Sequence, residues 1–452
     1  MPLSGAAAKD LLEEMLQIRQ ADAPGLETYH SYVRGAQPHP VSLEGVPPEA
    51  VRFIDQSRVN IVDLVVEVMA QSLYVDGYRP NVADVGAIDE AAGWEAWQAN
   101  KLDSRQVAVH RGAFTYGISY VLVLPGESGM PSIRGYSPRK LTVAYGDDPD
   151  WPFAAVLAEA NGEHMSYTLY DSEAAYRFTT EGGLVAVESE PLGETGGVCP
   201  VVRFLNVEDL DDETLSEVDR LIPIQDQIDT TTFELQVAQH FQAFLQRYII
   251  GWTPESVPEQ MKAMASRMWT FADADVQVGQ FQQAQLDGYL RSREESVQLG
   301  AIVSQTPPHH LLGELINLSA EALAAAESGH RRKINQRQTT LGEAWEQVLE
   351  LAELMMGAPV PEESAQVRWR DTEARSLAQT VDALGKMAQM LDIPPEALWE
   401  RIPGVTQQDL QLFKQLASQA DALTQLTGIL EAQLAPAPPN GQPTAPVGVP
   451  PT

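Results

Sequence analysis

Residues Ser216–Gly251 read SEVDRLIPIQDQIDTTTFELQVAQHFQAFLQRYIIG, and this stretch decides the fold. Leu221, Ile224, Ile228, Thr231, Leu235, Ala238 and Leu245 recur at alternating steps of three and four. That is a narrow seam, narrower than the apolar face of a helix lying on a globular core. From Ile222 to Arg247 such a helix would be about 39 Å long at about 1.5 Å per residue. Pro223 stands near its start, and the acidic residues Glu208, Asp209, Asp211, Asp212 and Glu213 precede it. Those charges read as a solvated linker that favours the following helix N-terminus. A strut of this kind calls for a second long helix, from its own chain or from a neighbouring copy.

The second helix is expected at Ala284–Ser304. Between the two lies a short piece that reads strand (Tyr248–Gly251), helix (Pro258–Met268), strand (Val276–Gly279). After Ser304 the sequence Gln305-Thr306-Pro307-Pro308-His309-His310-Leu311-Leu312-Gly313 interrupts the helical pattern. A third long helix starts at Ser319, a suitable N-cap with Glu321 in its first turn. It carries Leu323, Ile334, Leu341, Trp345, Val348 and Ala352.

Upstream, Ala7–Arg19 reads as an amphipathic helix stopped at Ala23-Pro24-Gly25. A helix from about Glu49 puts Ile54, Ile61, Leu64, Val65 and Val68 on one face, and Asp76-Gly77 reads as a turn. Helical stretches then surround Trp94 and Trp97, two core residues on one face, and run from Arg105 to Phe114. From Gly117 the period drops to two, with strands at Ile118–Leu124, Ser132–Tyr136, Leu141–Tyr145, Phe153–Ala160, Met165–Tyr170, Tyr176–Thr180 and Val201–Leu205. Helices followed by strands indicate an α+β fold, not the alternating pattern of a nucleotide-binding sheet. Downstream, Pro359, Pro361 and a strand near Val367–Arg370 mark a boundary before a smaller helical region and a Pro-rich tail.

Composition narrows the function. The 452 residues carry 30 basic and 63 acidic side chains, a formal charge of −33, which argues against a broad basic face that grips nucleic acid. One cysteine, Cys199, leaves no internal disulfide and no cysteine-based zinc site. The first residues do not read as a signal peptide, and no run reaches the length of a membrane span. The Walker, nucleophile-elbow, zincin and dinucleotide motifs are all absent, so no enzyme and no cofactor is expected. His309, His310 and Glu314 fall short of a metal site, because adjacent histidines point in different directions and only one carboxylate stands near. They read as an exposed or pore-lining loop. Arg331, Arg332, Lys333 and Arg337 read as surface or inter-subunit ion-pair partners.

Several stretches, in this order, resemble one family: NIVD (60–63) with WQANKLD (97–103), FTYGISYVLV (114–123) with Ser137-Pro138-Arg139, SEVDRLIPIQDQID leading to FQAFLQRYIIG, SQTPPHHLLG (304–313), NLSAEAL (317–323) and IPPEALWERIPG (393–404). Together they are similar to the portal proteins of tailed double-stranded DNA bacteriophages, in the Gp6-like, actinobacteriophage branch. The resemblance implies a portal fold: an α+β wing (1–213), stem helix 1 (214–247), a small α/β clip (248–283), stem helix 2 (284–304), a tunnel loop (305–318), a long wing helix (319–358), a helical crown (359–434) and a disordered tail (435–452). It implies a dodecameric ring at one capsid vertex, assembled in the host cytoplasm. A terminase motor would drive double-stranded DNA through the ring, which would hold the DNA and release it into the tail. The implied partners are the terminase large subunit, the major capsid and scaffolding proteins, and a head–tail connector protein. Thr306, Pro307, Pro308, His309, His310, Leu311 and Leu312 would face the channel, and Leu221, Ile224, Ile228, Leu235, Ala238 and Leu245 would pack the stem. The polar residues Gln225, Asp229, Gln236 and Gln239 would face the lumen or the outside. The alternative is a head–tail adaptor or minor capsid protein with no channel role.

Overall fold

The strand-rich middle of the chain folds as two antiparallel sheets that share one interior. The structure is a computed structural model describing residues 2–40, 48–79, 92–126, 129–162, 164–180, 184–193, 195–207, 209–211, 213–242, 247–251, 277–280, 285–313, 320–358, 365–370 and 377–419. Strand β1 is Val75–Arg79, and β2 (Ile118–Leu124), β3 (Ser132–Tyr136) and β9 (Val201–Leu205) form a three-stranded sheet in the order β3-β2-β9. Strands β4 (Leu141–Tyr145), β5 (Pro152–Asn161), β6 (His164–Tyr170), β7 (Ala174–Thr179) and β8 (Val185–Pro191) form a five-stranded meander. Alternation along β5 sends Ala155 and Leu157 towards Tyr120 and Leu122 of the smaller sheet and Cys199 just before it. The intervening Ala154 and Val156 face Ala8, Leu12 and Met15 of helix α1 (Gly5–Val33) instead. Strand β8 is absent from the sequence reading because its outward positions are charged. Glu190 pairs with Arg177 of β7 at 3.2 Å, which suits an exposed sheet edge.

Helix α1 runs through the expected break at Pro24. Proline removes one helical N–H, but residues 21–25 are exposed, so water can satisfy the freed carbonyl. The expected helix from Glu49 is instead three pieces: α2 (Pro48–Val51), α3 (Phe53–Gln56) and α4 (Ile61–Gln71). Asn60 caps α4 by accepting from the Asp63 N–H at 3.0 Å, and this fixes a buried face of Ile61, Val62, Val65, Val66 and Met69. Leu64 is exposed, contrary to the expected face. Asp76-Gly77 lies inside β1, at a register irregularity, and is not a turn.

Helices α5 (Ala92–Ala99) and α6 (Leu102–Tyr116) complete the core with Trp94 and Trp97, whose rings stack at 5.4 Å. Helix α7 (Ile222–Gln242) is followed by the antiparallel strands β10 (Arg247–Ile250) and β11 (Gln277–Gln280). Helices α8 (Asp287–Ser304), α9 (Pro308–Leu312) and α10 (Ala320–Met355) follow. Strand β12 (Gln366–Trp369) pairs antiparallel with β1, so this strand belongs with the first 369 residues, and the division into two units falls at Arg370 rather than near Pro359. The second unit contains α11 (Leu377–Leu391), a 3-10 helix (Pro395–Arg401) with Trp399 packed edge-on to Phe413, and a helix over 407–419. Thr406 and Asp409 cap that last helix reciprocally: Asp409 accepts from the Thr406 N–H, and its own N–H donates to the Thr406 hydroxyl. Among the described residues no helix is long and apolar enough to cross a membrane.

Candidate functional site

Helices α7 and α8 pack along each other, so the chain runs out along one and returns along the other, with β10 and β11 at the far end. Gly300 of α8 lies close to both α4 and α7: a Cβ there would sit 3.0 Å from Ile61 Cδ1 and 3.6 Å from Ile224 Cγ2. Of the expected stem-packing residues, Leu221, Ile224, Ile228 and Leu235 are buried within the chain and Ala238 is half-buried. Leu245 lies outside the described residues, as do the expected clip helix Pro258–Met268, Glu314, Ser319 and the Pro-rich tail.

Two of the polar residues assigned to the lumen or outer face are core residues. Gln225 and Asp229 are fully buried. Gln225 accepts from the Ile61 N–H at 3.0 Å, and its amide donates to the Val59 carbonyl at 2.7 Å and to Asp229 at 2.8 Å. Asp229 also accepts from Gln37 at 2.9 Å and from the Val59 N–H at 3.3 Å. The pair therefore adds buried side-chain partners to the backbone groups at the start of α4. Burial raises the Asp229 carboxyl above its ordinary value, against the lowering effect of these hydrogen bonds. Gln236 is half-buried and donates to the Gln56 carbonyl, which leaves Gln239 as the exposed member of the four.

The C-terminal end of α8 is held by side chains from α10. Gln305 adopts the left-handed region (φ 54°) and its N–H returns to the Ile302 carbonyl, while the Thr306 N–H reaches the Ala301 carbonyl at 3.0 Å. The Lys333 ammonium donates to the Ser304 carbonyl at 2.8 Å, and His330 Nδ1 lies 3.2 Å from the Gln305 carbonyl. A cation against the terminal carbonyls complements the helix dipole there. Lys333 and Arg337 also close on Glu217, at 2.6 and 3.1 Å, and Arg337 Nε donates to Asn206 at 2.7 Å. All three charged groups are buried. The expected surface role of Lys333 and Arg337 is thus corrected: their partner, Glu217, is in the same chain. It sits 116 and 120 residues away, a distance no local pattern spans.

Burial alone would raise the Glu217 carboxyl, but the two cations outweigh it and hold it below the usual carboxylate range. Burial depresses the Lys333 ammonium, and Glu217 offsets part of that. A cavity of about 240 Å³ adjoins these groups, lined also by Tyr29, Asp219 and Arg220.

The interrupting segment is more ordered than a loop. Pro307 is extended, Pro308 opens the one-and-a-half turns of α9, and Gly313 closes them at φ 68°, its N–H returning to the His309 carbonyl. His309 and His310 do not diverge. Their rings lie 4.4 Å apart with a 33° tilt, and both Nε2 atoms point at Glu327 Oε1 of α10, at 3.0 and 3.4 Å. Thr306 is buried, and Leu311 and Leu312 are half-buried against the core. Glu327 was missed in the sequence because it lies on a different helix, and only the fold brings it across.

Comparison with known proteins gives the family. Residues 13–425 match the family model described as phage portal protein, SPP1 Gp6-like. The portal protein of Mycobacterium phage D29 is 27% identical over 401 residues, covering 83% of this chain and 81% of that one. The portal protein of Mycobacterium phage L5 is 25% identical over 400 residues with the same coverage. Among solved structures, a chain from the neck of a native GTA particle computed with C12 symmetry aligns at 13% identity and a TM-score of 0.45, covering 77% of this chain and 94% of that one.

Proposed function

The chain belongs to the SPP1 Gp6-like family of phage portal proteins, and we propose that it is one subunit of a ring whose central channel carries double-stranded DNA. Its role is that of a portal protein, a component of the virion. The observation that carries the ring proposal is the out-and-back helix pair α7 and α8 with the β10–β11 ladder at its end. On this reading α7 and α8 are the stem, the β10–β11 piece the clip, residues 305–318 the tunnel loop, α10 the long wing helix, and the unit from Arg370 the crown. Copies packed side by side in a closed ring would use one heterologous interface throughout. Leu299 and Ile302 support it: both are exposed on α8, Ile302 at 70%, where a neighbouring stem would cover them.

The acidic balance suits a conduit. Each phosphate a wall neutralised would release about 0.9 counterions and make the duplex adhere, so a wall that lets DNA slide needs sparse positive charge. The partners are then the terminase large subunit on one side, connector proteins on the other, and capsid and scaffolding proteins around the wing. The role is structural, and hydrolysis of ATP or DNA is left to other components.

Electron microscopy of the purified full-length chain tests this. The expected image is a ring with a central hole, from a sample without ATPase or nuclease activity. Monomers alone, across ionic strengths and with scaffolding protein added, would overturn it. Open, hole-free assemblies would favour the adaptor reading instead.

A further inference from the structure

We infer that His309, His310 and Glu327 form a binding site for a divalent transition metal of the zinc class, which would clasp α9 to α10. The three side chains come from two elements whose relative position is fixed elsewhere. Pro307 and Pro308 set the direction of α9, and the Glu217–Lys333–Arg337 cluster holds α10 about two to three turns beyond Glu327. Two imidazoles then converge on one carboxylate oxygen, where an ordinary ion pair would need a single ring. One potential ligand atom from each residue lies within 4.8 Å of those from the other two.

The spacing fits an ion. Two donors bound to a tetrahedral centre at about 2.0–2.1 Å stand about 3.3 Å apart. The observed separations from Glu327 Oε1 are 3.0 Å for His309 Nε2 and 3.4 Å for His310 Nε2. Binding would displace the Nε2 protons that now face the carboxylate, moving each ring to its other tautomer. The donor set of two nitrogens and one oxygen, with no thiolate, selects zinc, cobalt, nickel or copper over magnesium or calcium. The side chains are only partly covered, His310 being 37% exposed, which leaves one side open to a water as fourth ligand.

A second observation points the same way. His330 stands three residues after Glu327 on α10, so it shares that helix face, and its ring is 6.2 Å from that of His310. The Gln305 carbonyl can only accept, so His330 Nδ1 carries the proton and Nε2 presents a bare lone pair. That Nε2 is buried and has no hydrogen-bond partner among the described residues. An unsatisfied buried acceptor is costly, and a metal-bound water supplies the donor it lacks. A clasp here would tie the segment after α8 to the long helix, a feature the portal role does not itself require.

The test uses full-length protein stripped with a chelator and titrated with cobalt(II), read by its visible absorption, and with zinc(II), read by calorimetry. One ion per chain is expected, with the intense absorption of a tetrahedral cobalt centre. His309→Gln, His310→Gln and Glu327→Gln should each weaken binding by at least about tenfold. His164→Gln, an exposed histidine on β6, should leave it unchanged. The melting temperature of the stripped variants should match that of the stripped parent, while the rise on adding zinc should vanish. Absence of saturable binding by the stripped parent would overturn the site. So would equal affinity in the His309→Gln/His310→Gln double variant.

Discussion

The two halves of α10 are held to the rest of the protein by different physics. Its C-terminal half is held mainly by apolar and aromatic packing, with Glu353 a buried carboxylate, accepting from the Gly93 N–H. Trp345 is fully buried, edge-on to Trp97 at 4.9 Å and to Phe204 at 4.7 Å, and its indole N–H donates to His110 Nε2 at 2.8 Å. Burial pushes that imidazole down to about 3, so it stays neutral, with Nε2 as the acceptor and the proton on Nδ1. The N-terminal half is ionic: His330, Lys333 and Arg337 cap another helix and neutralise a buried carboxylate. An apolar interlock has one low-energy arrangement and resists deformation. A charged joint depends on pH and on every partner staying in place. The half beside α9 is therefore the adjustable one, next to the segment proposed to border the channel.

Breaking the C-terminal half should have the largest effect. Trp345→Ala should cost about 3–5 kcal/mol, because it empties a large volume and strands His110 without its donor. Chemical denaturation of the isolated subunit measures this, and a loss under about 1 kcal/mol would mean the ring is not the hub of the core.

Glu217→Gln sharpens the contrast, with an expected loss of about 3 kcal/mol at neutral pH because two buried cations lose their counter-charge. The sign with pH follows from the depressed folded-state pKa. The stabilisation is complete above the unfolded glutamate value of about 4.3 and is lost as pH falls through the lower folded value. The gap between parent and variant should therefore be wide at pH 7 and close below about pH 4. Urea midpoints across pH check it, and a gap independent of pH would remove Glu217 from the ionic account.

Gly300→Val probes the seam where α8 meets α4 and α7. The new side chain meets Ile61 and Ile224, and overpacking of this kind costs about 1–3 kcal/mol. A thermal melt that does not shift would show that α4 can yield. The smallest stability effect belongs to Ile302→Ser, within about 0.5 kcal/mol for a single subunit, since the side chain is exposed. Its consequence should appear in assembly, as a lower ring fraction in native mass spectrometry. An unchanged ring yield would remove Ile302 from the interface.

The strand region was legible in the sequence because strands at period two, broken by glycine, proline and aspartate, are set by their own residues. Strands β2, β3, β4 and β9 fall where the alternation puts them. The same holds for the two helices on either side of the β10–β11 ladder and for the buried Trp94–Trp97 face. Local pattern failed where a distant group changed the balance. Pro24 does not stop α1, because that turn is bathed in solvent. Gln225 and Asp229 look like surface residues on a helical wheel, yet they hydrogen-bond the N-terminus of α4.

For Ser216–Gly251 the division is the same. The residues by themselves determined a long helix, its apolar stripe and its need for a companion, since periodicity depends only on neighbours three and four positions away. Only the tertiary structure decided that Glu217, at the head of that stretch, would be sealed between Lys333 and Arg337. Likewise it alone carried Glu327 to two histidines on another helix. Charges and ligands act through space, and the spatial neighbours of a residue are fixed by the packing of the whole chain.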